Sequence, residues 1–343
     1  MNPLHIASFD GNSGISRYAK DFFELVLKPR GFDARLPFDF DNLDSIAPST
    51  RIHLEIGVNE TETTALLYRL LSRHFNNLSI TLHDPPFISW PYFKFRNRML
   101  ANLSKAALLY LRNFGFGEKD IESISKVFIL SHQGLKATQI RYPNANALHL
   151  PFLAPSCSKP LSTSSFKPNL LFFGFIAKNK GVEYALQLHR ELLNRHPEVE
   201  IFVIGRPIDS TAEAYLQLLK SEYSRNVHYL GYVPNSEIER VFSSASIAVM
   251  PFEPYRSIVP ASASIMDAMR RGHIVCATPV NAVGEFIRHG ETGFFLSHDI
   301  YRDADLLSEL INSPDRAALI SQTAIQHLMD NHCAAAVGRA FDC

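Results

Sequence analysis

The sequence predicts an α/β protein built from two doubly wound, Rossmann-like domains. Three observations predict it. Short apolar runs alternate with stretches of helical periodicity through both halves, the mark of a parallel sheet with helices on its two faces. The chain has 343 residues and 46% hydrophobic content, too long for one core of ordinary size and apolar enough to fill two. Residues 151–169, PFLAPSCSKPLSTSSFKPN, are dense in Pro and Ser and carry no periodicity, as a linker does. The expected division is an N-terminal domain over 1–155, a C-terminal domain over 156–323 and a helical end over 324–343.

In the first half, Leu4–Phe9 reads as a strand and Gly11–Gly14 as a turn. The spacing of Ile15, Tyr18, Phe22, Leu25 and Val26 predicts a helix over Ile15–Leu27. Strands are expected at Arg51–Ile56, Leu78–Leu82 and Val127–Leu130, with helices over Thr61–Phe75, Tyr92–Leu111 and Gln133–Ile140. The second half is clearer. Its strands are Leu170–Phe173, Val199–Ile204, Val227–Leu230, Ile247–Met250 and His273–Ala277. Helices over Gly181–Arg195, Thr211–Tyr223, Ser236–Ser244 and Pro260–Arg271 separate them. Two such domains in tandem place a central cleft between strand C-termini, where ligands bind.

Composition removes several function classes. Lys plus Arg (34) balance Asp plus Glu (34), so no large field points to nucleic acid. Cys157, Cys276, Cys333 and Cys343 lack metal-ligand spacing and read as reduced thiols. MNPLHIASFD has neither the basic start nor the apolar core of a signal peptide, and no apolar run approaches a membrane span. A cytoplasmic protein with no bound metal is expected. Asp39-Phe40-Asp41 has DxD spacing but sits in LPFDFDNLD, which reads as a loop. No zinc spacing, GxSxG elbow or Walker loop is present.

The stretch from Ser257 to Gly272, SIVPASASIMDAMRRG, holds most of the chemistry. Small residues at Ala261, Ser262, Ala263 and Ser264 let backbone N–H groups approach a ligand, and the helix that follows turns its positive end to the same point. Asp267 offers a carboxylate for ribose hydroxyls. Pro260 suits the helix start and Gly272 its end. Alone, the stretch also fits an ordinary capped helix.

Set in order, FFGFIAKNKG (172–181), EIFVIGRP (200–207), VHYLGYVPNSEIERVFSSASIAVMPF (227–252) and SASIMDAMRRGHIVCATPVNAVGEFIRHGETGFFL (262–296) resemble the C-terminal domain of retaining glycosyltransferases of the family 4 group, which have the GT-B fold. The first half resembles the family more loosely, through GISRYAKDFFELV, TLHDPP and VFILSHQGLKA. The resemblance implies transfer of a sugar, with retention, from a nucleotide-sugar donor (UDP- or GDP-linked) to a hydroxyl of a saccharide or lipid-linked acceptor. Cell-surface polysaccharide or glycolipid synthesis is the implied setting, with no dissociable cofactor and no metal. The last helix of such proteins returns to the N-terminal domain.

Carried over residue by residue, the resemblance implies catalytic roles for His83, Lys180 and Asp267. Lys180 matches the lysine on the donor phosphates; by itself it reads as a solvated lysine at a helix start. Asp267 matches the ribose-binding acid, one methylene shorter than the usual glutamate. Glu285 matches a further donor-site acid or is surface charge. The donor set is completed by Gly14, Arg17, Gly174, Lys178, Arg256, Ser257, Ala261, Ser262, Ala263 and Ser264. Arg17, Tyr18, His83 and Asp84 form the acceptor set. His83 ends a strand, which aims it toward the ligand side. Two positions depart from the family pattern. Val259 stands where its first glutamate falls, and Phe175 where an arginine follows the glycine of the first C-domain strand, with Lys178 or Arg256 available to replace that charge.

WPYFKFRNRML (90–100) mixes aromatic and basic residues, and 90–112 is a candidate for peripheral contact with an inner membrane face, or a helix packing its aromatics on the core. The alternatives to transfer are a non-catalytic module that binds a nucleotide sugar or a partner enzyme, and a nucleotide-sugar epimerase of the same fold.

Overall fold

The structure is a computed structural model that describes residues 2–11, 13–40, 43, 46–57, 60–88, 103, 107, 121–255 and 257–343. The chain divides into two compact units. The first comprises 1–155, Ser257–Ala261 and Ala334–Cys343; the second comprises Ser156–Arg256 and Ser262–Cys333. The expected helix Tyr92–Leu111 and the aromatic-basic segment at 90–112 lie, apart from 103 and 107, outside the described residues.

The first unit holds a parallel sheet of β1 (Leu4–Ile6), β2 (Asp33–Arg35), β3 (Ile52–Ile56), β4 (Leu78–Leu82), β5 (Lys126–Ile129) and β6 (Ala147–His149), in the order β2-β1-β3-β4-β5-β6. The order reverses between β1 and β3, which is where such sheets bind ligands. Side chains alternate across a strand, so the two faces separate cleanly. One face is aliphatic: Leu4, Ile6, Ile52, Leu54, Ile56, Ile80 and Leu82 pack with Leu66, Leu67 and Leu70 of the helix Thr61–Ser72. The opposite face carries His5, His53, Glu55, Ser79 and Thr81, brought side by side by the registers His5↔His53, His53↔Ser79 and Glu55↔Thr81. Aromatic residues roof it. Phe22 comes from the helix Gly14–Phe22, and Phe341 from the last helix, Ala334–Asp342. The Phe341 ring stacks on Phe128 at 5.0 Å and meets His53 edge-on at 5.2 Å. Arg30 clamps the same helix through Asp342 (2.7 Å). Full burial of a ring such as Phe341 contributes about 1.5–3 kcal/mol.

The second unit is a parallel sheet of β7 (Leu170–Phe173), β8 (Ile201–Ile204), β9 (Val227–Gly231), β10 (Ile247–Met250), β11 (Ile274–Ala277) and β12 (Phe294–Phe295), in the order β12-β11-β10-β7-β8-β9. Here the reversal falls between β7 and β10. Helices Val182–Leu192, Ser210–Glu222 and Ile300–Ile311 pack Leu186, Leu216 and Leu307 into its core.

Several bounds differ from expectation. The strand expected over Leu4–Phe9 ends at Ile6. The helix expected over Ile15–Leu27 is α-helical only to Phe22 and continues as a wider turn over Phe23–Leu27. The helix expected from Pro260 begins at Ala263, because the Ser262 hydroxyl accepts from Ile265 N–H (3.4 Å) and caps it there. Pro260 therefore lies outside the helix, and Ser257–Ala261 belongs to the first unit, where Val259 N–H donates to Pro85 carbonyl at 2.8 Å. The final helix spans Ala334–Asp342, while residue 324 falls inside the preceding helix Pro314–Asn331. No helix among the described residues is long and apolar enough to cross a membrane.

Candidate active site

Each unit carries one cluster of chemistry-bearing groups at its sheet's reversal point. On the second unit, β7 ends at Phe173, and the chain runs through Gly174 and a short turn, Lys178–Lys180, into the helix Val182–Leu192. Gly181 has a positive φ of 73°, and a Cβ there would stand 1.9 Å from the Pro251 carbonyl oxygen. Only glycine permits that approach. It locks KNKG onto the segment after β10, where Glu253 N–H also donates to the Asn179 carbonyl (3.0 Å). Lys180 Nζ consequently lies 4.8 Å from the Phe252 ring centroid and 5.5 Å from that of Tyr255. Two aromatic faces hold the ammonium by cation–π attraction, and no carboxylate pairs with it among the described residues.

Gly174 sits beside the start of the helix Ala263–Arg270: a Cβ on it would meet Ser264 Oγ at 3.3 Å. The structure therefore brings Gly174, Ser262, Ala263 and Ser264 together, with the first-turn amides of that helix unsatisfied within it. Ser257 and Ala261 lie with the first unit instead, and Arg256 is outside the described residues. Lys178 is drawn to Tyr215 (5.7 Å). Glu285 lies in the short helix Val283–Phe286 and is half-buried.

Among the described residues, Arg206 is a cation that stands beside Phe175. Its guanidinium stands 5.8 Å over the Phe175 ring, at the end of β8. Ile176 N–H donates to the Arg206 carbonyl (2.9 Å), which fixes the two loops together. Sequence reasoning offered Lys178 or Arg256 for this charge and passed over Arg206. The signal was its place one residue after Gly205, the position that Phe175 holds after Gly174 on the neighbouring strand.

Asp267 is 18% exposed on the side chain, and its Oδ1 receives Arg270 (Nη2 at 2.6 Å) and Arg271. Both guanidinium groups bind that one oxygen, and Oδ2 has no hydrogen-bond partner among the described residues.

On the first unit, the helix Gly14–Phe22 starts under a capping box in which Ser13 Oγ accepts from Ser16 N–H and Ser16 Oγ accepts from Ser13 N–H, each at 3.0 Å. Arg17 is exposed on its first turn, and Tyr18 is buried. A Cβ on Gly57, at the end of β3, would stand 2.2 Å from Ile15 Cδ1 and 3.2 Å from Asp84 Oδ2. The bare glycine thus lets Gly14–Arg17 and the His83-Asp84 turn close on one point. The Tyr18 ring meets His83 edge-on at 5.1 Å.

Behind His83 lies a buried carboxylate that sequence reasoning missed. Glu55, 1% exposed, faces His83 Nε2 at 2.7 Å and His5 Nε2 at 3.1 Å, with His53 Nε2 at 3.4 Å. His53 also reaches Ser79 Oγ (2.9 Å) and Thr81 Oγ1 (3.0 Å). Burial alone would raise the Glu55 carboxyl; hydrogen bonds from His5, His53 and His83 outweigh it and hold it well below its ordinary range. The magnitudes agree, since burying an ion costs several kcal/mol and hydrogen bonds to a charged group return about 1.5–3 kcal/mol each. The cue was polar residues at alternate positions in IHLEI and LSITLH, within strands that a parallel sheet buries on both faces. His5, His53 and Glu55 have ligand atoms within 4.8 Å of one another, a spacing a metal ion could bridge. The donor set fits one poorly: a ligating imidazole needs a partner for its second nitrogen, and His5 Nδ1 has none among the described residues.

These buried groups give stability a pH dependence. Burial pushes His53, His189 and His273 below the ordinary imidazole value. The unfolded chain then binds protons more tightly once pH falls below about 6.5, so stability drops. Depressed Glu55 acts with the same sign below about pH 4.3. Thermal melts are expected to show a lower Tm at pH 5 than at pH 7.5; an unchanged Tm would contradict this.

Comparison with known proteins bears on the second unit first. Residues 167–313 match the family model of glycosyl transferases group 1. Apart from Ser257–Ala261, that stretch lies in the second unit, and it is less than half of the chain. The chain is 25% identical over 131 residues to an uncharacterized glycosyltransferase of Methanocaldococcus jannaschii, covering 37% of this chain and 31% of that protein. Among solved structures, sucrose-phosphate synthase of Thermosynechococcus elongatus superposes with a TM-score of 0.69 at 12% identity, covering 100% of this chain and 98% of that one. HepE of Anabaena in complex with UDP and glucose gives 0.64 at 13%, covering 99% and 97%. TarM of S. aureus in complex with UDP gives 0.64 at 13%, covering 89% of this chain and 57% of that one. The chain thus spans less than two thirds of the length of the M. jannaschii protein and of TarM. The fold is the GT-B fold of two parallel-sheet, Rossmann-like units.

Proposed function

We propose that the protein is a glycosyltransferase that moves a sugar from a nucleoside-diphosphate donor to an acceptor hydroxyl with retention of anomeric configuration. One observation carries the proposal: Lys180, without a carboxylate partner among the described residues, is held over Phe252 and Tyr255 at the β7/β10 reversal, within the stretch that matches group 1 glycosyl transferases. A pinned cation, the amides at Ala263 and Ser264 and the Arg206 guanidinium suit the charge that builds on a departing diphosphate. Asp267 Oδ2 serves the ribose. UDP is the first nucleotide to try, because HepE and TarM were solved with it.

In the proposed step, the bond from the anomeric carbon to the β-phosphate oxygen breaks. The acceptor oxygen bonds that carbon on the same face, and the departing phosphate takes the acceptor's proton. His83, Tyr18, Asp84 and Arg17 of the first unit are the proposed sugar and acceptor contacts. Lys180, Arg206 and the helix amides supply the neutralising charge, so activity is expected to persist in EDTA. The acceptor is proposed to be a saccharide or a lipid-linked saccharide, and the location the cytoplasm or a membrane face.

The test is incubation with UDP-, GDP-, ADP- and TDP-sugars and a panel of saccharide acceptors, reading nucleoside diphosphate release and the anomeric configuration of the product. Retained configuration supports the proposal. Donor binding without transfer would favour a non-catalytic module, and conversion of donor without acceptor an epimerase.

A further inference from the structure

We propose that Glu55 is the positioning residue that fixes the tautomer of His83: it holds the ring hydrogen on Nε2 and leaves Nδ1 as the nitrogen that accepts a hydroxyl hydrogen from the transferred sugar. The inference rests on the reading of His83 as a sugar contact, but its structural half stands without it.

A carboxylate only accepts hydrogen bonds. Each imidazole nitrogen that faces Glu55 must therefore donate. His83 Nε2 is 2.7 Å from Oε2, while His5 Nε2 is 3.1 Å from Oε1. The carboxylate is thus shared, one oxygen for His83 and the other for the interior pair. His5 and His53 are fully buried on β1 and β3, whereas His83 is 8% exposed just past β4. Of the three, His83 is the imidazole with a side open to a ligand. Its ring is held from the other direction by the edge of Tyr18 at 5.1 Å, and Tyr18 in turn packs on Phe152 at 5.1 Å. Glu60 is a further acid that interacts electrostatically with His83, so it is a carboxylate to control for beside Glu55.

A neutral His83 fixed in this way presents an acceptor, and the substrate group it suits is a hydroxyl. An imidazole with its hydrogen on Nδ1 would instead present a donor to the same atom. The tautomer therefore constrains the transferred sugar: the group that meets Nδ1 must donate a hydrogen, as a hydroxyl does.

Long-range 1H–15N spectra of 15N-histidine-labelled protein, with His83 assigned through His83→Gln, read the tautomer directly. Above the imidazole titration, wild-type His83 is expected to show a protonated Nε2 and an unprotonated Nδ1. Glu55→Gln is expected to convert His83 to the other tautomer or a mixture. It should also lower kcat roughly 10- to 100-fold, the size found when an outer partner of a metal-bound imidazole is removed, with donor KM changed far less. A wild-type His83 protonated on Nδ1 would overturn the inference even if Glu55→Gln does not fold. An unchanged tautomer in a folded Glu55→Gln would do the same. Should wild-type protein show the Nε2–H tautomer but no transfer, the inference about Glu55 holds and the transferase reading fails.

Discussion

Lys180→Ala is expected to lower kcat/KM for transfer about 100-fold or more while leaving Tm nearly unchanged. The expected size follows from what the ammonium does and does not touch. It forms no ion pair among the described residues, so its removal breaks no electrostatic support of the fold. Its contacts are the Phe252 and Tyr255 rings, and exposed-site cation–π pairs contribute only about 0.5–1 kcal/mol. In the proposed step the same cation would meet charge that grows as the donor bond breaks, and one such contact is worth about 2.7–4 kcal/mol. Function loses several times what stability loses. Arg206→Ala should weaken the donor in the same direction. Steady-state kinetics beside a thermal melt separates the two effects, and a variant with full turnover would remove Lys180 from the site.

Gly205→Ala is expected to destabilise the protein by on the order of 3 kcal/mol. Gly205 has a φ of 151°, and a Cβ on it would stand 1.7 Å from the Gly174 carbonyl oxygen. The clash is with backbone, which cannot rotate aside. Relief requires the ends of β7 and β8 to part, and these carry the Phe175–Arg206 pair and the Ile176 N–H bond to Arg206. Denaturant unfolding should therefore show a lower midpoint, and the folded fraction a weaker donor affinity. Equal stability of Gly205→Ala and wild type would show that the two strand ends are not in this contact.

Much of the second unit was legible in the sequence. Its strands Leu170–Phe173 and Ile247–Met250 lie where apolar runs predicted them, because a parallel strand covered on both faces reads as an unbroken apolar run. The edge strands β2, β6 and β12 were not read, being two or three residues long and too short for any period to show. The Pro260 start failed for another reason. Proline at a first helical position is a statistical preference, whereas the Ser262 hydroxyl forms an actual cap, and the cap won. That Ser257–Ala261 joins the first unit depends on the Val259–Pro85 bond, a contact between residues far apart in sequence that no local pattern encodes. Glu55 was in view as an acid in an apolar strand. Its meaning came only with the register that sets His5, His53 and Thr81 beside it.

Donor binding by the second unit is the centre of this account, and a thermal melt with UDP, GDP and their sugars measures it most directly. For wild-type protein at about 100 times Kd, linkage gives about 2.7 kcal/mol and a Tm rise on the order of 5 °C with the true donor. Lys180→Ala should lose most of that rise at the same concentration. A wild-type Tm unmoved by every nucleotide sugar, or an equal rise in wild type and Lys180→Ala, would contradict the account.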